Sequence, residues 1–372
     1  MSRQRIELLD SFRFLAIMGV LFFHFTYRWG NILPSSKFYG NFAEYGSMGV
    51  PFFFVISGFV ISYTLRNTDS MGAFFKNRFI RLFPPLLLCT LITFTVTAFL
   101  DTNAIFPEAH KPTNLMPSLT ITNPAIWSLF SKRDFDWIDG SYWSLWIEVE
   151  FYAIAAALYF ADKNKFMRNL LWTTIVLSII KYIPPVFMNV SWGSRSHPGL
   201  IPFFTNLKEV YKLFRIIYYI PWFALGSFFY YLFQGYRPLS NKILDLSLLV
   251  VLCFLYGDRY IYRGWVMHVV VLVFFGLLVY KQEWLAFLNF RILQRIGVIS
   301  YTLYLIHEDV GVLLMTKIGP HVRWNPLMPL LMMVVFILFA ELSFRFYEKR
   351  AGRWLKKLLF KQKKVISVIP SD

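Results

Sequence analysis

Two ionisable side chains, Arg13 and His24, lie within the first apolar segment of the chain, which runs from Phe12 to Tyr27. A cation costs about 2.5–3.5 kcal/mol at the centre of a bilayer, so such residues are candidates for function. Eleven residues of helix bring the two side chains back to within about 20° of one another, separated by about 16 Å. Both side chains therefore point toward the same neighbouring element. An alternative stays open, in which Arg13 reaches a headgroup and His24 is hydrogen-bonded between helices.

A second cationic pair, Arg78 and Arg81, precedes the third apolar segment. The two residues are three apart and share one helix face. Because the arginine fork matches phosphate oxygens, the pair could clamp the phosphates of a donor that arrives from the cytoplasm. The alternative is ordinary anchoring of a helix end by positive charge.

Two carboxylates, Glu148 and Glu150, open the fourth apolar segment. They lie about 200° apart on a helix, so they cannot face one site. A carboxylate at this depth needs a partner, and His24 is available because both belong to the outer half of the membrane. A carboxylate behind an imidazole sets its tautomer and raises its basicity. We therefore pair Glu148 with His24, oriented by Ser144, and expect Glu150 to be exposed at the interface.

Polar residues recur in two further segments. Tyr301, Tyr304 and His307 share one face of the ninth segment, either as site residues or as a hydrogen-bonded stripe between helices. Ser57 and Gly58 form a small pair in a bulky run, for which close helix packing is favoured over ligand contact.

Common nucleotide, metal and hydrolase motifs are missing from the sequence. No P-loop, HExxH, GxSxG or CxxC pattern occurs, and we predict neither a metal ion nor a bound cofactor. We interpret the two cysteines as packing residues. The remaining histidines, scattered without metal-ligand spacing, are His110, His197, His268 and His321.

The composition indicates that these residues lie in a membrane protein. Of the 372 residues, 57% are hydrophobic and 16% are charged, against about 45–50% and about 25% in soluble proteins. We predict an all-α polytopic integral membrane protein of about ten transmembrane helices. The predicted spans are 11–28, 48–66, 79–100, 142–161, 167–187, 213–234, 243–257, 264–281, 297–317 and 326–346.

The distribution of positive charge predicts the orientation. With the N-terminus inside, the inner segments hold more than half of the 38 Lys and Arg residues, which favours cytoplasmic termini. The net charge of +17 then faces anionic lipid rather than nucleic acid. The basic, amphipathic segment 349–372 is predicted to be a cytoplasmic tail on the membrane surface.

Five motifs occur in one order along the chain. They are R-x10-H in the first segment, G-V-x-x-F-F-V-I-S-G-F in the second, R-x-x-R-L-x-P before the third, W-S-L-x-x-E-x-x-F-Y in the fourth and Y-x-x-Y-L-I-H near the end. In this order the chain resembles the membrane acyltransferase-3 family of bacterial surface-glycan O-acyltransferases. The resemblance covers about residues 5–348, and residues 1–348 would form the acyltransferase domain. Pro51 departs from the pattern, since many members carry Asp there.

The resemblance implies transfer of an acyl group, usually acetyl, from cytoplasmic acyl-CoA to a sugar hydroxyl of a surface glycan or its lipid-linked precursor. It implies a multi-pass protein of the bacterial inner membrane, without the SGNH hydrolase-like domain of some members. His24, Arg13 and Glu148 would be catalytic. The substrate-binding residues would be Arg78, Arg81, Ser57, Trp143, Ser144, Tyr304 and His307.

Alternatives remain at the level of mechanism and of function. His24 could act as a general base for direct transfer or carry the acyl group as an acyl-imidazole, and Tyr304 or a backbone amide could stabilise the oxyanion. A macrolide-like small molecule is an alternative acceptor. A secondary transporter or flippase for a lipid-linked glycan would also use intramembrane His, Arg and Glu. Only the enzyme would release free CoA.

Overall fold

A computed structural model describes residues 6–33, 38–189, 212–235, 245–247, 250–251, 261–322 and 325–360. Within these ranges every regular element is helical, which confirms the predicted all-α class. In chain order the helices are α1 (Glu7–Phe23), α2 (Gly49–Arg66), α3 (Met71–Leu100), α4 (Leu115–Thr120), α5 (Pro124–Ser131), α6 (Trp143–Ala161), α7 (Phe166–Asn189), α8 (Ile220–Phe233), α9 (Ile261–Tyr280), α10 (Arg291–Val298), α11 (Ser300–Ile306), α12 (Asp309–Ile318), α13 (Met328–Ser343) and α14 (Lys349–Leu359).

Five helical segments of the described residues are long and apolar enough to cross a membrane. They are Glu7–Arg28, Gly40–Arg66, Met71–Leu100, Gly140–Ala161 and Met328–Leu359, and each contains or overlaps a predicted span. A sixth candidate, Val266–Tyr280 with Gln282–Leu288, is bent by 117°. Helix α8 is a shorter apolar helix within the predicted span 213–234. Most of the predicted span 243–257 lies outside the described residues.

The predicted span 297–317 is interrupted, because it comprises the end of α10 and the two separate helices α11 and α12. The break before α12 falls at His307 and Glu308, which are both buried. Here the backbone amide of Asp309 donates a hydrogen bond to Oδ2 of Asp139, 3.2 Å away. A buried amide that bonds a side chain from another element fixes the turn, so polar residues rather than apolar length determine the local structure.

Close approaches of backbone hold the central helices together. A Cβ atom on Gly58 of α2 would lie 2.0 Å from the carbonyl oxygen of Phe223 in α8, and one on Gly226 would lie 1.9 Å from that of Val55. Only glycine permits such contact, as in other membrane helix crossings. Phe223 also stacks on Phe151 of α6 at 4.3 Å between ring centroids, so α2, α6 and α8 form one packed unit.

Contacts between α1, α10 and α13 and between α3 and α14 define one end of the helical bundle, which we name the arginine end. A Cβ on Gly297 of α10 would lie 1.7 Å from the carbonyl oxygen of Asp10 near the start of α1. Arg295 pairs with Glu341 of α13 at 2.7 Å, and Glu341 also pairs with Arg345, four residues further along the chain. Helix α14 continues past the start of α3, where the Lys76 ammonium donates to the carbonyl oxygen of Leu359 at the end of α14.

The opposite end, which we name the histidine end, carries His24 and the loop 101–141. The indole of Trp29 packs against the ring of Phe106 in that loop, with centroids 5.1 Å apart. Lys317, near the end of α12, donates to the hydroxyl of Thr102 at 2.9 Å. Helices α1 and α3 therefore run from the arginine end toward the histidine end, and α2 runs in the opposite direction.

Candidate active site

A cavity opens between α1, α2, α3, α6 and α11, with about 740 Å³ of empty space that includes its opening to solvent. Seven of the ten site residues expected from the sequence line it, and the other three, Trp143, His24 and His307, lie outside its wall. The polar and charged lining residues are Arg13, Ser57, Arg78, Arg81, Ser144, Glu148, Tyr152, Ser300, Tyr301 and Tyr304. Bulky apolar side chains of α2 supply most of the remaining wall, which is the usual character of a small-molecule site.

The arginines gather toward the arginine end. Arg13 pairs with Asp10 at 2.7 Å, and Nη2 of Arg78 donates to the Thr64 hydroxyl at 3.2 Å. This part of the cavity therefore combines several guanidinium groups, as anion binding requires.

The middle of the cavity carries a carboxylate. Oε1 of Glu148 accepts a hydrogen bond of 2.6 Å from the hydroxyl of Ser57. The Tyr152 hydroxyl interacts with both Glu148 and Arg78. The Tyr301 hydroxyl oxygen is buried here and has no hydrogen-bond partner among the described residues. Ser57 is thus a polar wall residue, whereas Gly58 beside it serves helix packing.

Two hydroxyl groups close the cavity toward the histidine end. The Tyr304 hydroxyl donates to the carbonyl oxygen of Ser141 at 2.9 Å and accepts from the hydroxyl of Ser144 at 2.8 Å. Because its one proton is used in this way, Tyr304 does not offer a free donor to an oxyanion in this conformation. The ring of Phe53 packs edge-on against Tyr304, with centroids 6.3 Å apart.

A pair of histidines lies beyond Tyr304. The ring of His307 is 5.4 Å from that of Tyr304 and 4.6 Å from that of His24. Nδ1 of His24 lies 2.9 Å from the Val20 carbonyl oxygen, and Nδ1 of His307 lies 2.7 Å from that of Tyr304. A carbonyl oxygen only accepts, so both protons belong on Nδ1 and both Nε2 atoms carry lone pairs.

The carboxylate beside His24 is Glu308, and the predicted pairing of His24 with Glu148 is wrong. Oε2 of Glu308 lies 3.4 Å from Nε2 of His24, whereas Glu148 is bonded to Ser57. The indole nitrogen of Trp29 donates to Oε1 of Glu308 at 3.3 Å. The contact joins residues that are far apart in the chain, so the spacing within one helix gave no sign of it.

Two further buried carboxylates, Asp139 and Asp309, adjoin Glu308. Burial, with Glu308 nearby, raises the pKa of Asp139 above its usual range. Asp139 also accepts a hydrogen bond of 2.9 Å from the backbone amide of Ser141, which orients the turn that leads into α6. Sequence analysis missed this cluster, although the run His307, Glu308, Asp309 within an apolar segment was a signal.

The donor atoms of His24, His307 and Glu308 all lie within 4.8 Å of one another. Two imidazoles and a carboxylate form a set that could hold a metal ion. No spacing in the sequence predicted this set, because His24 and His307 are separated by most of the chain. The same three groups also suit acid–base chemistry, since each imidazole is fixed by a backbone carbonyl.

The predicted exposure of Glu150 is wrong, and Trp143, a predicted substrate-binding residue, lies away from the cavity. Glu150 is buried rather than exposed, and its Oε2 accepts a hydrogen bond of 2.9 Å from the backbone amide of Ile216. Trp143 does not line the cavity, because its ring packs 5.5 Å from that of Tyr219 and lies below the guanidinium of Arg215. Both residues fasten the segment before α8 to α6.

Comparison with known proteins identifies relatives of the whole described bundle. A family model described as an acyltransferase domain matches residues 6–344. The peptidoglycan O-acetyltransferase OatA of Listeria monocytogenes is 25% identical over 93% of this chain. The O-acetyltransferase OatA of Staphylococcus aureus is 26% identical over 91%, and YrhL of Bacillus subtilis is 26% identical over 92%.

The relatives are longer than this chain. The matched region makes up 54% of YrhL and 56% of each of the two OatA proteins, so the chain spans little more than half of their length. No solved structure matches the chain.

Proposed function

The chain belongs to the acyltransferase-domain family, and on that basis we propose that it transfers an acetyl group from acyl-CoA to a hydroxyl of a cell-surface glycan. The named activity of the OatA relatives supports O-acetyl transfer and a glycan acceptor. The helices long enough to span a membrane support a multi-pass location, which we assign to the bacterial cytoplasmic membrane. The proposed acceptor is a surface polysaccharide or its lipid-linked precursor.

The observation that carries this proposal is a cavity with arginines toward one end and a histidine pair beyond the other. Arg13, Arg78 and Arg81 line the cavity and would bind the phosphates of CoA. The elongated pantetheine arm would pass Glu148 and present the thioester near Tyr304. His24, reached through His307, stands on the side from which a glycan would approach. The elongated donor would therefore enter from the arginine end, and the acceptor would approach from the histidine end.

His24 would act as the general base in direct transfer. As the acceptor oxygen attacks the thioester carbonyl carbon, its proton passes to Nε2 of His24, the atom that carries a lone pair. The carbon–sulfur bond then breaks, and the proton on Nε2 goes to the thiolate to give free CoA. Glu308, 3.4 Å from Nε2, would stabilise the imidazolium between these steps.

The test is thiol release by the purified protein in nanodiscs. The protein would receive acetyl-CoA and a glycan extract, and free CoA and acetylated glycan would be measured. We expect release to require the glycan and to fall at least about 100-fold in His24→Ala, which is the usual minimum contribution of a general base.

A matched control is His321→Ala, because His321 is exposed in a short turn at the histidine end. This variant should keep full activity. Full activity in folded His24→Ala would refute the assigned role. Absence of thiol release from folded wild-type protein, with acetyl-, succinyl- and longer acyl-CoA, would instead favour a transporter.

A further inference from the structure

The middle of the cavity holds two polar groups that the proposed chemistry does not use, namely Glu148 and Tyr301. The Tyr301 hydroxyl oxygen is buried without a hydrogen-bond partner among the described residues, although it lines a cavity. A buried hydroxyl left unpaired is costly, so its position indicates that a ligand supplies the partner.

Glu148 has acceptor capacity left over. Its carboxylate receives the Ser57 hydroxyl on Oε1 and interacts with the Tyr152 hydroxyl, whereas a carboxylate offers about four lone-pair sites. A phosphate beside it would be repelled. The ligand group that belongs at this level must therefore donate a hydrogen bond to Glu148 and accept one from Tyr301.

A secondary amide satisfies both requirements, because its N–H donates and its carbonyl oxygen accepts from opposite edges. The position along the cavity also fits. Glu148 lies four residues after Ser144 on α6, which is about 6 Å along the helix from the level of Tyr304. In acyl-CoA the first amide follows the thioester sulfur after a spacer of two carbons. A thioester near Tyr304 thus brings an amide to the level of Glu148.

We propose that Glu148 and Tyr301 form a subsite for the amide of the pantetheine arm next to the thioester. This inference rests on the proposed acyl-CoA-dependent function. It makes Glu148 a donor-binding residue and not the partner of His24. Tyr301 donates to the amide carbonyl oxygen and Glu148 accepts from the amide N–H, so the pair sets how far the thioester extends toward His24.

Three short acetyl donors distinguish the proposed contact with Tyr301 from the proposed contact with Glu148. S-Acetyl-N-acetylcysteamine carries the amide, its oxygen-ester analogue keeps the carbonyl group but lacks the N–H, and S-pentyl thioacetate has neither. The kcat/KM for glycan-dependent thiol release would be measured in nanodiscs for wild-type protein, Tyr301→Phe and Glu148→Gln. Tyr159→Phe is the control, because Tyr159 is a buried tyrosine of α6 that does not line the cavity.

We expect Tyr301→Phe to lower kcat/KM about fivefold with the amide and ester donors and to leave the alkyl donor unchanged. Glu148→Gln should lower it by a similar factor with the amide donor alone, because the glutamine NH2 would oppose the amide N–H. The alkyl donor reports whether each variant is folded and active. Tyr159→Phe should match wild type with all three donors.

Two results would overturn the subsite. Equal losses with all three donors would show that the variants disturb the site generally, and unchanged rates would show that solvent occupies this position. In both cases acetyl-CoA turnover by wild-type protein would leave the proposed function standing. Failure of wild-type protein to release thiol from any donor would reject the function, and the subsite with it.

Discussion

In the proposed reaction the chemistry depends on His24, and the surroundings of this residue differ from those expected from the sequence. A hydrogen bond of 2.9 Å to the Val20 carbonyl oxygen fixes Nδ1 as a donor, so the residue's own helix sets its tautomer. The carboxylate of Glu308 interacts with the other ring nitrogen, Nε2, which lies 3.4 Å from Oε2. Glu308 is therefore suited to stabilising the charge on His24 rather than to choosing its tautomer.

Replacement of Glu308 by Gln should lower kcat about 10- to 100-fold with little change in KM for acetyl-CoA, because the stabilised imidazolium forms only during the reaction. The glutamine oxygen can still accept from Trp29. The measurement is steady-state thiol release at saturating glycan.

Glu108→Gln, in the loop at the histidine end, is the control and should retain wild-type kcat. A chelator should also leave the wild-type rate unchanged if Glu308 acts as a carboxylate, whereas loss of activity on chelation would assign His24, His307 and Glu308 to a metal. An unchanged kcat in Glu308→Gln would remove the residue from the reaction.

Spacing within one helix predicted which of its side chains share a face, but not which side chains of other helices they contact. Arg13, Arg78 and Arg81 line one cavity. The contact of His24 with His307 joins α1 to the end of α11, and no local pattern encodes such a long-range approach. The predicted pairing of Glu148 with His24 failed for this reason, since depth in the membrane alone does not identify a neighbour.

At the scale of elements, apolar length and turn residues predicted the first four spans well. The region 297–317 shows where apolar length is not sufficient. Its polar residues bond to other elements, and Asp309 binds Asp139 through its backbone amide. The crossing of α2 and α8 was also only partly visible in the sequence. Gly58 indicated a close approach, but not that Gly226 would be its counterpart.

Substitution of Gly58 or Gly226 by Ala should destabilise the bundle. The added Cβ would lie 2.0 Å or 1.9 Å from a carbonyl oxygen of the facing helix, which forces the helices apart and costs about 1–3 kcal/mol or more. Thermal unfolding in detergent, followed by size-exclusion chromatography, measures the effect.

Gly72→Ala provides the matched control, because a Cβ there meets no atom within 4 Å and alanine is the better helix former. Its melting temperature should equal or exceed that of wild type. If Gly58→Ala and Gly226→Ala melted like Gly72→Ala, the close crossing of α2 and α8 would be contradicted.

For the whole molecule, the proposed function gives the two ends of the bundle different roles. The arginine end collects basic residues from the first part of α3, where Lys76 and Arg78 lie, and from α14, a helix with Lys356 and Lys357 in its last turn. Positive charge of this kind favours the cytoplasmic face, which is where acyl-CoA is supplied. The histidine end would then face the outer surface, where glycans are assembled, and the cavity would connect the two sides.

This orientation predicts which residues a membrane-impermeant maleimide reaches in intact cells. In a background with Cys89 and Cys253 replaced by Ser, a cysteine at Thr113 or Lys132 of the loop 101–141 should be labelled from outside, because both side chains are exposed there. A cysteine at Asp69, in the exposed turn between α2 and α3, should react only after the membrane is opened. Labelling of Asp69→Cys in intact cells would invert the bundle, and an acyl-CoA donor could then not reach the arginines from the cytoplasm.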